Sequence, residues 1–356
     1  METQKTVLGA EHPSTLTCMG NLASTYQNQG RWNEAEKLDL QVMETRKTVL
    51  GAEHPDTLTS MANLASTFWN QGRWNEAEKL FVQVMETQKT VLGAEHPSTL
   101  TSMANLASTY RNQGRWNEAE KLGVQVMETE KTVLGAEHPS TLTSMNNLAS
   151  IYQNQGRWNE AEKLGVQVME TRKTVLGAEH PSTLTCMGNL ALTYRSQGRW
   201  NEAEKLEVQV METFKTVLGA EHPDTLISMG NLACTWKSQG KLKDALTLIK
   251  ICSHLRSKVL GPDHPDSKSA SRTVNDWMDE YNALSNQPPL TGNSCLKPLS
   301  VSPAVLAAQV TLRAHINSPY AQKKSVTKSF LGNHPLIIAA RTTSPGAEIQ
   351  DTQDVN

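Results

Sequence analysis

Six histidines recur every 42 residues along this 356-residue chain: His12, His54, His96, His138, His180 and His222. Histidine binds metals and moves protons near neutral pH, so such a row invites both readings. Zinc needs about four ligands at ~2.0–2.3 Å. Copies that occur once per structural unit are held a unit's width apart and do not converge. Each of these histidines precedes a proline, as in His12-Pro13, and then Ser or Asp. That order suits the start of a helix, where orphan amides need partners. The other four histidines form no HxxxH or HExxH pattern.

The remaining candidates for chemistry are equally weak. Glu34 and Glu36 recur as a pair beside Arg31. That reads as a solvated charged face rather than an acid–base pair. Arg31, Arg73, Arg115, Arg157 and Arg199 could form a basic line for RNA. Each is followed by Glu three and five residues on, however, and the net charge is −2. A phosphate groove needs unpaired positive charge. Gly240-Lys241 has Thr235 where a phosphate loop needs glycine. The five cysteines form no CxxC, and Cys18 and Cys186 share a position with Ser60, Ser102, Ser144 and Ser228. No catalytic residue, metal site or cofactor is expected, and no nucleic acid partner.

What must position these residues is a repeat. "KTVLGAEHP" begins at Lys5, Lys47, Lys89, Lys131, Lys173 and Lys215. Counted from Met1, Met43, Met85, Met127, Met169 and Met211, each unit holds two helical patterns and two turns. Gly9 and its equivalents are expected to end one helix in a left-handed turn. Helix A then runs from Pro13 to Asn28, with Leu16, Met19, Leu22, Ala23 and Tyr26 on one apolar face. Gly30 breaks the chain. Helix B starts near Trp32 with the stripe Trp32, Ala35, Leu38, Val42 and Val49. Neither stripe can be buried alone, so the pairs must stack into a solenoid.

Gly30, the aromatic at 32, Ala35 and Leu22-Ala23-x-x-Tyr26 resemble the tetratricopeptide repeat signature. The 42-residue unit, with "LGxxHPxT" and "NLAxxYxNQGRWxEAExL", is similar to the kinesin light chain type and to near-identical arrays of filamentous fungi. The resemblance implies an all-α, right-handed superhelix of helix pairs and a non-enzymatic protein-interaction scaffold. It also implies two alternatives: the sensor arm of a fungal nucleotide-binding immune-like receptor, or a kinesin light chain-like cargo adaptor. Thr17 and its equivalents stand where a chaperone-tail clamp would need Lys or Arg, which speaks against that ligand.

In near-identical units the differences are informative. In first-unit numbering, position 20 reads Gly20, Ala62, Ala104, Asn146, Gly188, Gly230. Position 24 reads Ser24, Ser66, Ser108, Ser150, Leu192, Cys234, and position 27 reads Gln27, Trp69, Arg111, Gln153, Arg195, Lys237. The spacing i, i+4, i+7 makes one stripe of helix A. In the resembled family helix A lines the concave wall, so the stripe is expected to face a peptide or partner protein, with Trp69 and Arg111 as anchors. Asn21, Asn63, Asn105, Asn147, Asn189 and Asn231 never change, and the resemblance implies that they hold a bound peptide's main chain. Their amides both donate and accept. Positions 4 and 39 also vary, which suggests looser packing on helix B.

Six units are expected over 1–252, a degenerate seventh unit with a capping helix over 253–284, and a mostly disordered tail from 285. One short helix is expected at Pro303–His315, capped by Ser302. Residues 286–356 hold six Lys/Arg against three Asp/Glu, a surplus of +3, so the array carries −5. Met1 falls inside the last turns of a helix B, which suggests a fragment of a longer array and an uncapped first repeat open to self-association. Neither a signal peptide nor an apolar stretch approaching ~18 residues occurs. A cytoplasmic, membrane-free protein is expected.

Overall fold

The computed structural model describes residues 6–285. After a short helical stretch at 6–8 come thirteen helices. They are α1 (Pro13–Asn28), α2 (Trp32–Leu50), α3 (Pro55–Asn70), α4 (Trp74–Leu92), α5 (Pro97–Asn112), α6 (Trp116–Leu134), α7 (Pro139–Asn154), α8 (Trp158–Leu176), α9 (Pro181–Ser196), α10 (Trp200–Leu218), α11 (Pro223–Ser238), α12 (Leu242–Leu260) and α13 (Pro265–Ser285). Odd numbers are A helices and even numbers B helices. The helix expected at Pro303–His315 lies outside the described residues.

The repeated histidines start the A helices. In every unit His Nδ1 accepts from the backbone amide two residues on, at 3.1–3.2 Å from His12 to His264. Proline occupies the first helical position, where its missing N–H costs nothing. The B helices end at glycines such as Gly51, with φ 92° and ψ 162°. The expected left-handed turn is therefore replaced by a positive φ with extended ψ, a region essentially restricted to glycine.

Each helix packs on the one before it and the one after it. Leu16, Met19, Ala23, Ala35 and Val42 are buried as expected. Val49 is not: it is 52% exposed. Helix B has 19 residues against 16 in helix A, so its last turn extends past its partner. Neighbouring A helices also touch, α1 with α3, α5 with α7, α7 with α9 and α9 with α11, whereas no two neighbouring B helices among the described residues pack as closely. The A helices therefore form the inner, tighter wall. The array curls until its ends meet. A Cβ built on Gly30 would fall 2.5 Å from Pro265 Cδ, so only glycine fits where the first interhelix turn abuts the start of α13. That last helix buries Ala270, Thr273 and Trp277 and exposes Arg272, Asp276 and Asp279.

A polar clamp joins consecutive units. Arg73 and Gln71 both donate to Glu36 of the unit before, each at 2.8 Å. Arg73 also pairs with Glu76, and its guanidinium lies 4.2 Å from the Phe68 ring centroid. Arg115 with Glu78, Arg157 with Glu120 and Arg199 with Glu162 repeat the inter-unit bond at 2.7–2.8 Å. Burial pushes the Glu36 carboxyl up, but the bonds from Gln71 and Arg73 outweigh it and hold it below the usual range. In the divergent sixth unit Lys241 keeps the bond to Glu204 at 3.1 Å, joined by Trp236 Nε1 at 2.7 Å. The recurring Glu36 position is thus a structural joint, and the arginine row is already neutralised.

Candidate partner-binding wall

The inner wall carries the unchanged asparagines. Asn21 is exposed, Asn63, Asn147 and Asn189 are half-buried, and Asn105 and Asn231 are buried. Positions 20 and 21 of neighbouring units adjoin, since Asn189 Nδ2 donates to Asn146 Oδ1 at 3.3 Å. Asn146 is itself buried. The Oδ1 atoms of Asn147 and Asn231 are buried without a partner among the described residues. A buried amide oxygen left unpaired costs roughly 1–3 kcal/mol.

The variable stripe lies elsewhere than expected. Positions 24 and 27 sink into the seams between units rather than facing an open wall. Trp69 is 6% exposed and Arg111 6%, and Leu192 and Cys234 are buried too. Gln27, Gln153, Arg195 and Lys237 are half-buried. The reason is geometric: position 27 points at position 39 of the same unit's B helix and position 25 of the next A helix. Gln27 donates to Asp39 at 3.1 Å, and Thr67 donates to the same carboxylate at 2.6 Å. Position 39 is therefore tightly packed, not loose: Asp39, Phe81, Glu207 and Ile249 are all buried.

Each seam has its own chemistry. The first is polar, with Gln27, Asp39 and Thr67. The second sets Trp69 in the same buried cluster as Phe81. The third joins Arg111, Gly123 and Ile151 around one cavity. The fifth has Arg195 near Glu207, whose two carboxyl oxygens are buried without a hydrogen-bond partner among the described residues; burial pushes that carboxyl up to about 7 although Arg195 pulls it down. The sixth has Lys237 over the Trp277 ring at 5.0 Å and paired with Glu280 at 2.6 Å. Position 4 forms a second layer: Arg46 donates to Ser60 at 2.9 Å, Ser102 to Gln88 at 2.7 Å, and buried Arg172 to Cys186 Sγ at 3.0 Å. Reading the sequence missed Asp39, Phe81, Gly123 and Glu207 as partners of the stripe. Both positions vary between units, but not in fixed pairs: Gln27 goes with Asp39 and Gln153 with Gly165, Arg111 with Gly123 and Arg195 with Glu207.

No group of three or more His, Cys, Asp or Glu among the described residues could hold a metal ion. No described helix is long and apolar enough to cross a membrane.

Stacked helix pairs with an inner A wall and seam-specific contacts define a helical-repeat solenoid. A tetratricopeptide repeat model matches residues 14–88, 61–129, 104–164 and 140–216, and a second one 225–266. The chain belongs to the tetratricopeptide repeat family. Among solved structures it is similar to a point-substituted form of the nearly identical repeats of a Podospora anserina protein described as a kinesin light chain. The identity is 37% over 58% of this chain and 98% of that one, with TM-score 0.50. The form without that substitution is 36% identical over the same shares, with TM-score 0.48. BtubC of P. vanneervenii shares the fold at 16% identity, covering 76% of this chain and 99% of its own, with TM-score 0.52. No curated protein matches the chain.

Proposed function

We propose that the chain is a non-enzymatic scaffold that holds an extended peptide or a partner protein along its inner A-helix wall. One observation carries this reading. An asparagine recurs unchanged at position 21 of all six units, and two of these, Asn147 and Asn231, keep a buried amide oxygen without a partner among the described residues. An amide both donates and accepts, which suits a ligand's main chain. The occupied arginine row argues against a nucleic acid partner.

Peptide display on the full chain, followed by affinity measurement on the selected sequences, tests the wall. Replacing the half-buried pair Asn147→Ala and Asn189→Ala should weaken capture by roughly tenfold or more while the melting curve is nearly unchanged. Capture at wild-type affinity by that double variant would sink the inner-wall reading. Cargo adaptation is the second reading, favoured by the 37% identity to a protein described as a kinesin light chain. The sensor-arm reading gains no support from these neighbours. A cytoplasmic location and self-association through the first repeat belong to the same proposal.

A further inference from the structure

The array has two edges. At one, each A helix turns into its own B helix through a sequence such as Gly30-Arg31-Trp32. At the other, each B helix turns into the next A helix through a sequence such as Val49-Leu50-Gly51-Ala52-Glu53-His54-Pro55. Where the chain closes on itself, one edge is already seated on the other: Gly30 lies against His264 and Pro265. The residues at that contact are covered. The His264 side chain is 1% exposed, against 18% for His222 one unit earlier. Gly30 is half-buried, and so are Val259 and Leu260 just ahead of His264.

Along the middle of the array both edges are bare. A Cβ on Gly72, Gly114, Gly156 or Gly198 would meet nothing within 4 Å, and all four glycines are exposed. On the same edge Trp116, Trp158 and Trp200 are each about two-fifths exposed. On the opposite edge Val49, Val91, Val133, Val175 and Val217 are each about half exposed, with exposed Leu50, Leu92 and Leu134 beside three of them. This valine row with its leucines offers an apolar strip of roughly 600 Å², above the few hundred Å² that mark a contact surface and near the ~800 Å² that each side of a stable interface buries.

We propose that the two edges are the two halves of one interface, and that a second copy of this chain occupies it. The Val-Leu edge of one copy seats on the Gly-Arg-Trp edge of the next, extending the contact that Gly30 makes with His264 and Pro265. Three features select a second copy. The residues of the existing contact recur unchanged on the bare edges: Gly30-Arg31-Trp32 returns as Gly72-Arg73-Trp74 and Gly114-Arg115-Trp116, and His264-Pro265 as His54-Pro55 and His96-Pro97. Both edges repeat once per 42 residues, so a fit at one unit is a fit at the next. Each edge is also apolar where the other is. Because the two surfaces differ, the contact is heterologous, and every added copy leaves one edge free at each end, so copies build open columns rather than closed pairs. The inner A-helix wall takes no part, so the inference does not rest on the inner-wall reading.

Sedimentation velocity on the full chain, from about 1 to 200 µM, tests the stacking. The wild type should run as a monomer at the dilute end and pass the mass of a dimer at the concentrated end. Val91→Glu with Val133→Glu charges one edge. Trp116→Glu with Trp158→Glu charges the other, and the first turn of a helix favours an acidic residue. Should helical content fall in the tryptophan variant, Asn117→Glu with Asn159→Glu charges the same edge from exposed positions. Each variant should stay monomeric throughout the range. Mixed in equal parts, the two should form a dimer and stop there, because together they supply one intact pair of edges. A wild type that is monomeric at 200 µM overturns the inference. So does association that survives either variant, as contact through the first repeat alone would, and so does a mixture that fails to dimerise.

Discussion

Two seams of this array carry an arginine at the same position and answer it in opposite ways. In the fifth, Arg195 has Glu207 beside it on the B helix of its own unit, and the carboxyl is almost wholly buried. In the third, Arg111 faces Gly123 and a cavity. The backbone around both is the same helix pair. The difference teaches that a repeat can keep its architecture and exchange a neighbouring buried carboxyl for a glycine and a cavity.

The largest expected effect separates the two at once. Arg195→Leu removes the charge that attracts the buried Glu207 carboxyl and should cost about 1–2 kcal/mol in denaturant unfolding at pH 8, shrinking below pH 7 as the carboxyl takes up a proton. Arg111→Leu removes a charge that has no partner and should stabilise by about 1–2 kcal/mol in the same measurement. Loss of stability in both variants would break the comparison.

Glu207→Gln sharpens it. The folded carboxyl titrates at about 7, above its unfolded value, so the acid is neutral in both states at low pH. The burden of ionising it inside the seam then grows as pH rises toward 7. The variant should be more stable than wild type by about 1 kcal/mol at pH 8 and equal to it at pH 4. A gain that is independent of pH would show that the seam does not sense the charge.

The smallest effect concerns what all units share. Burial, with Arg172 adding to it, holds His180 below its ordinary value. Its neutral Nδ1 caps α9, and this contribution is complete above about pH 6.5 and lost as pH falls below it. Acidification from pH 7.5 to 5.5 should lower the amide protection factor at Ser182, corrected for the intrinsic pH dependence of exchange, by a few fold, in line with a cap worth about 0.5–1 kcal/mol. The seams give no reason for His180 and His222, both depressed by burial, to respond differently in kind.

Much of this was legible from residue order. Proline, glycine and the 3.6-residue spacing placed both helices of each unit, and the histidines were legible as caps because they stand before Pro13 and its equivalents. The depth of the variable stripe was not legible. Helical spacing says that positions 20, 24 and 27 share a face, but not which neighbouring helix covers it. That depends on how far each unit rotates over the last. Trp69 and Arg111 look like surface anchors on one isolated helix and become seam residues only when α4 and α6 are in place. Position 39 did not supply it, since Asp39 accompanies Gln27 whereas Gly165 accompanies Gln153.

The clamp of Glu36 with Arg73, repeated as Glu78 with Arg115 and onward, is chemically the same at each joint. By itself it would let a folding chain skip a unit, joining Glu36 to Arg115 and looping out the 42 residues between at little loss of bonding. The seams oppose this. Skipping the third unit would drive Phe81 against Ile151, in space shaped for a glycine. Skipping the fourth would set Gly123 against Thr193 and leave a void where Ile151 now fits. The small differences buried between identical-looking units therefore act as page numbers, fixing the order in which the chain is read into its fold.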